Sequence, residues 1–244
     1  MQLVFLTALG VGSATVFGAI LGLIFKTISH KWNDIVLGFA AGVMLAAAVI
    51  GLILPSLEGG GTLASVITVV GVFCGAFLLH ILDKLVPHTH QIINTDTQMH
   101  KILLFVLAIA IHNFPEGIAA GVGFGTGNYA EAFTVAGGIA LQNIPEGMVI
   151  IAPMLAAGFG TGKTFLAAAS TGVIEVLGTM LGYFSVRIST AILPFALAFA
   201  GGTMLYVISD EMIPETHAHG NERAATYSLL GGFCLMLVFD FLLG

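Results

Sequence analysis

The chain runs as long apolar stretches broken by a few polar residues, and that spacing sets its architecture. Eight stretches, about 3–25, 35–57, 61–82, 101–124, 131–157, 164–186, 190–213 and 224–243, lie between the scattered charges. Each is close to the ~20 residues a helix needs to cross a bilayer. They are apolar all round, with Gly and Ala throughout, as suits helices packed closely in lipid. The pattern predicts an all-α integral membrane protein with eight transmembrane helices, residues 1–244 forming one transmembrane domain. No charge precedes Lys26, so the first stretch reads as a retained helix and not a signal peptide. The third connection, from His88-Thr89-His90 to His100, is the only long polar one and is expected to be mobile.

Composition strengthens this reading. The 244 residues are 57% apolar and 8% charged, against about 25% charged in soluble domains. The net charge of −6 adds little, because several acids fall inside apolar stretches; no nucleic-acid partner is expected. Cys74 and Cys234 also fall in predicted spans, where they read as small core residues and not as a disulfide.

Basic residues supply an orientation. Lys26, Lys31, Lys84, Lys101, Lys163 and Arg223 all lie in or beside odd-numbered loops; of the seven Lys and Arg residues, only Arg187 is in an even-numbered one. The positive-inside rule makes the odd loops cytoplasmic and both termini extracytoplasmic.

Two segments carry chemistry. Ile111-His112-Asn113-Phe114-Pro115-Glu116-Gly117 in span four and Leu141-Gln142-Asn143-Ile144-Pro145-Glu146-Gly147 in span five share Asn-apolar-Pro-Glu-Gly. An unpaired charge near mid-membrane costs at least several kcal/mol. Apart from Lys101 at the very start of the fourth, no predicted span holds a Lys or Arg to offset these glutamates; the structural alternative is that they are protonated and hydrogen-bonded. His112 and Glu116, four residues apart, share a helix face with Asn113 beside them, and Gln142, Asn143 and Glu146 repeat the arrangement. Each proline removes a donor, kinks its helix and frees the carbonyl of Ile111 or Leu141. The glycines let the backbones approach. The result is one imidazole, two carboxylates and three side-chain amides around a shared point, a set that suits Zn²⁺ and its first-row neighbours.

Other residues can join them. Glu175 lies mid-span in the sixth stretch, again with no basic partner. Met44 offers a thioether, although packing is the ordinary role of such a methionine. Asp210, Glu211 and Glu215, with His217 and His219 beyond, read either as an exit path or as a solvated helix end. His80 and Asp83 are open in the same way.

The paired motif resembles that of the ZIP (Zrt/Irt-like) family of metal transporters, particularly its bacterial GufA-type members. The resemblance rests on His112-Asn113-Phe114-Pro115-Glu116-Gly117 and Gln142-Asn143-Ile144-Pro145-Glu146-Gly147, and extends through the eight-span layout with both termini outside. It implies a binuclear centre midway through the membrane. By position, one metal would use Met44, His112, Glu116, Gln142 and Glu146. The second would use Asn113, Asn143 and Glu175, with Glu116 and Glu146 bridging. Many relatives carry histidine where this chain has Gln142, and some carry aspartate in place of Asn143. The resemblance further implies that Asp210, Glu211 and Glu215 hold metal on its way to the cytoplasm. It also implies a homodimer in the cell inner membrane, with spans 1–3 related to 6–8 by an inverted repeat around spans 4–5.

The leading functional expectation is therefore uptake of a divalent metal ion. Zn²⁺ leads, with Cd²⁺, Fe²⁺, Mn²⁺ and Co²⁺ as further candidates, bound as cargo and not as a catalytic cofactor. One alternative is a membrane-embedded di-metal enzyme, but the chain has no Glu-x-x-His unit and no His-Glu-x-x-His. The other is a proton-coupled transporter of a small solute, insensitive to metal chelation, with the glutamates as relays.

Overall fold

The computed structural model describes residues 1–25, 29–85, 98–125, 127–188 and 190–243. Lys26, His88, Thr89 and His90 lie outside them, as do the side chains of Asp83, His100 and Lys101. The described residues form eight long helices: α1 (Gln2–Phe25), α2 (His30–Ser56), α3 (Gly61–Leu85), α4 (Gln98–Gly123), α5 (Tyr129–Ala156), α6 (Thr161–Ile188), α7 (Leu193–Thr216) and α8 (Glu222–Leu243). Among the described residues there is no strand, and seven helices are long and apolar enough to cross a membrane. The eighth long helix, α4, carries the first motif.

Helix ends follow local chemistry. α2 starts at His30, before the apolar stretch, because Ser29 caps it: its Oγ accepts from the Trp32 N–H at 3.4 Å. Asn128 caps α5, accepting from Ala130 N–H at 3.1 Å and Glu131 N–H at 3.4 Å. α7 begins after a short 3₁₀ turn at Thr190–Ile192, with Pro194 in its first turn, and runs to Thr216. That is a few residues further along at each end than the apolar stretch alone implied.

α2 and α7 each contain one π-helical turn, Val49–Ile53 and Ile208–Met212. In both, the amide after the turn reaches five residues back, Leu54 to Val49 and Ile213 to Ile208. A proline follows at once in each, Pro55 and Pro214. The second turn contains Asp210 and Glu211, and such turns widen a helix where side chains must be re-aimed.

Packing is dominated by small residues, which bring backbones together where lipid provides no hydrophobic drive between helices. A Cβ on Gly18 would overlap the Ile144 carbonyl, and one on Gly147 the Thr15 carbonyl, locking α1 to α5. Gly117 and Gly178 do the same between α4 and α6, against Glu175 O and Phe114 O. Gly42 meets Leu229 O across α2 and α8, and Gly202 meets Val72 O across α7 and α3. Between these two sets, glycines face side chains instead: Gly51 meets Val135, and Gly138 meets the end of Met236. The helix pairs also recur in matching fashion, since α1 packs on α5 as α6 packs on α4, and α3 on α7 as α8 on α2. The main apolar cluster, including Met44, Leu52, Ile139, Leu197 and Met204, lies between the two sets.

The cysteines differ from expectation in one respect. Cys74 and Cys234 are free, but both are exposed on the outer surface of α3 and α8, not in the core. A small, weakly polar side chain is tolerated equally well facing lipid.

Candidate metal centre

The two Asn-apolar-Pro-Glu-Gly motifs sit inside continuous helices, with Pro115 in α4 and Pro145 in α5. Their neighbouring glycines explain the placement. Gly117 seats α4 against the Glu175 carbonyl of α6, and Gly147 seats α5 against the Thr15 carbonyl of α1. The polar side chains one residue before each glycine are thereby drawn into the interior of the bundle.

Asn113, Gln142, Asn143 and Glu175 are fully buried, and Glu116 is 1% exposed. Glu146 and His112 are half-buried. Asn143 Nδ2 lies 2.7 and 2.6 Å from the two Glu175 carboxylate oxygens and 3.2 Å from the Val11 carbonyl. Thr15 stands beside the same carboxylate. Glu116 lies within electrostatic reach of Glu146 and Glu175, and Glu146 within reach of His112 and Glu211. The acids therefore form a ladder from α6 through α4 and α5 towards α7.

At the α7 end of that ladder, His112 Nε2 is 2.9 Å from Glu211 Oε1. The π-helical turn around Glu211 is what brings this side chain of α7 onto α4. Asp210 and Glu215, by contrast, are exposed and stand apart from the buried ladder. Met44 is fully buried in the apolar cluster that α2 shares with α5. His80 Nδ1 lies 3.1 Å from the Tyr206 hydroxyl, joining α3 to α7. His217 ties the end of α7 to α8 through Thr226, 3.3 Å from its Nε2. Thr15 and the Val11 carbonyl on α1 are not singled out by the motifs. Their only signal in the sequence is the pair of hydroxyl residues, Ser13 and Thr15, between Gly12 and Gly18 in a largely apolar span.

Much of this polar chemistry lacks a partner within the protein. Among the described residues, eleven buried side-chain atoms have no hydrogen-bond partner, and eight of them belong to Asn113, Glu116, Gln142, Asn143 and Glu146; a ninth, Glu211 Oε1, has only the His112 ring nitrogen beside it. Leaving one buried polar group unsatisfied costs roughly 1–3 kcal/mol, and more for a charge. Concentrating eight such atoms on the two motifs of α4 and α5 is not a packing accident that a stable bundle absorbs without reason. Oxygen-rich donors with one imidazole can offset that cost by gathering round a cation. As placed, no three His, Cys, Asp or Glu side chains among the described residues converge as a ligand set. The amide oxygens of Asn113, Gln142 and Asn143 and small side-chain rotations would have to complete one.

Comparison with known proteins follows the same lines. The ZIP Zinc transporter family profile matches residues 93–240, which span both motifs. The chain is 39% identical over 243 residues to the zinc transporter GufA of Myxococcus xanthus, covering 96% of each chain. It is 38% identical over 245 residues to the zinc transporter ZIPB of Bordetella bronchiseptica, covering 95% of this chain and 78% of that one. Over 321 residues it is 30% identical to the zinc transporter ZIP11 of Homo sapiens, with 94% of each covered.

Proposed function

Since the chain belongs to the ZIP zinc transporter family, we propose that it carries divalent metal ions, Zn²⁺ foremost, across the bilayer into the cytoplasm. The observation that carries this reading is the group of unpartnered buried polar atoms on α4 and α5. The cation is cargo. Glu116 and Glu146, adjacent in the ladder, are the bridging pair of a binuclear site; His112 and Gln142 complete one metal, with Met44 supplying a thioether as α2 and α5 move. Asn113, Asn143 and Glu175 hold the other. Glu211, already on His112, receives the ion next, and the exposed Asp210 and Glu215 pass it to water.

The same reading takes all eight long helices as spans. Six of seven basic residues fall on one side, which supports cytoplasmic odd-numbered loops and extracytoplasmic termini. The matched helix pairs and matched π-helical turns support an inverted repeat relating α1–α3 to α6–α8. A homodimer in the inner membrane follows from the resemblance, and the outward faces of α3 and α8, with Phe73, Phe77, Leu237 and Val238 exposed, are apolar enough to meet lipid or a second copy. The relatives are all named as transporters, which favours transport over a di-metal enzyme.

The test is radiolabelled Zn²⁺ uptake into proteoliposomes. Glu116→Ala and Glu146→Ala are each expected to abolish it. Uptake at the wild-type rate in either would put the site elsewhere, and uptake of another solute unaffected by chelation would favour the proton-coupled alternative.

A further inference from the structure

A second cluster of metal-ligating side chains lies away from the buried ladder, where α2 begins and α7 hands over to α8. Asp34 of α2 is fully buried, yet its carboxylate is satisfied on both oxygens. His219 Nδ1 stands 3.0 Å from Oδ1, and Asn221 Nδ2 donates to Oδ2 at 2.9 Å. A carboxylate only accepts, so the proton of a neutral His219 sits on Nδ1 and its Nε2 presents a lone pair. The His219 side chain is 27% exposed, so that nitrogen is within reach of water. His30, the first residue of α2 and exposed, stacks on the same ring with centroids 4.5 Å apart.

We propose that His219 and His30 form a separate divalent-cation site at this end of the bundle, with Asp34 as the group that orients His219. The arrangement is the carboxylate–imidazole–metal relay, in which the acid fixes the tautomer and raises the basicity of the ligating nitrogen. Asn221 holds the second carboxylate oxygen, so Asp34 cannot turn away. In the stacked arrangement the two rings do not aim at one point. His30 is exposed at a helix start, and rotation of its side chain brings its nitrogen beside Nε2 of His219, with water completing the shell. Two imidazoles select Zn²⁺, Ni²⁺, Co²⁺ and Cu²⁺ over Mg²⁺ or Ca²⁺. In the orientation proposed above, the site faces the cytoplasm on the side where Asp210 and Glu215 are exposed. It would then receive cargo that has left the membrane, a role that rests on the transport reading, whereas the site itself does not.

The experiment is equilibrium binding of Zn²⁺ alone to metal-stripped, detergent-solubilised full-length protein near neutral pH, with bound metal counted by mass spectrometry. The background is the Glu116→Ala/Glu146→Ala variant, which removes the buried centre. That background is expected to keep one Zn²⁺ that His219→Ala and His30→Ala each weaken by 10-fold or more. Asp34→Asn is expected to weaken the same ion by roughly 10–100-fold while both histidines remain. X-ray absorption at the zinc edge should show two imidazole ligands, falling to one in either histidine variant. His30 is exposed, so His30→Ala tests binding and not folding; His219→Ala also strands one oxygen of the buried Asp34, so its binding is read on protein whose fold is checked by its thermal midpoint. Equal stoichiometry and affinity in the background with and without His219→Ala and His30→Ala would overturn the proposal. Wild-type Zn²⁺ uptake and an undiminished metal count in the Glu116→Ala/Glu146→Ala variant would instead overturn the buried centre and leave this site standing.

Discussion

Substituting Gly147 by Ala puts a methyl group where α1 and α5 touch, one residue from Glu146. The added Cβ would overlap the Thr15 carbonyl oxygen and stand 3.0 Å from Ala19 N and Thr15 C, against ordinary contact at 3.4–4 Å. All three obstacles are backbone, so no side chain can swing aside. The helices must part by on the order of 1 Å to restore van der Waals contact. Overpacking of this kind costs about 1–3 kcal/mol, offset in part by the ~1 kcal/mol that Ala gains over Gly in a helix. The larger effect is on geometry, because ligand sets tolerate only about 0.5 Å of displacement. Gly147→Ala should therefore lose Zn²⁺ uptake by 10-fold or more while its thermal midpoint in detergent falls only modestly. Gly137, on the same helix with nothing within 4 Å of an added Cβ, is the control: Gly137→Ala should unfold at or above the wild-type temperature and transport normally. Equal uptake by the two variants, per folded molecule, would refute the idea that glycine contact sets the position of Glu146.

Other outcomes follow from the same contacts. Glu211→Ala releases His112, so Zn²⁺ should bind the buried centre more tightly in equilibrium titration while uptake turnover falls; weaker binding would make Glu211 itself a primary ligand. Asn221→Ala strands one oxygen of the buried Asp34 carboxylate, and thermal unfolding should report a loss of about 1–3 kcal/mol. No change in midpoint would mean that water replaces the Asn221 amide. Glu175→Ala removes the acceptor that holds Asn143, so in a two-metal titration the second equivalent should weaken more than the first; equal weakening of both would argue against separate subsites.

Seven of the expected spans were legible because a membrane helix must be largely apolar along its length, and most charges collect at its ends. The motif residues were legible for the converse reason, since Glu116, Glu146 and Glu175 break that rule with no Lys or Arg nearby. What the sequence hid was contact across helices. Nothing in the spacing places Glu211 on His112, because that contact depends on a π-helical turn that shifts the register of α7 by one residue. Thr15 gave almost no signal, since threonine is common in membrane helices and only its neighbour Glu175 gives it meaning. The outward position of Cys74 and Cys234 has no signal in the sequence, because helices apolar on every side do not show which face of α3 or α8 turns out. α2 starts before its apolar stretch because the cap at Ser29 adds a polar first turn that an apolar count omits.

The most direct measurement is a zinc-edge anomalous diffraction map from crystals soaked in Zn²⁺. The account predicts two peaks between α4 and α5, the pair bridged by Glu116 and Glu146, with His112 Nε2 at about 2.0–2.1 Å from one of them. A map with no peak within ligand distance of Glu116 or Glu146, from protein that transports Zn²⁺ in liposomes, would contradict it.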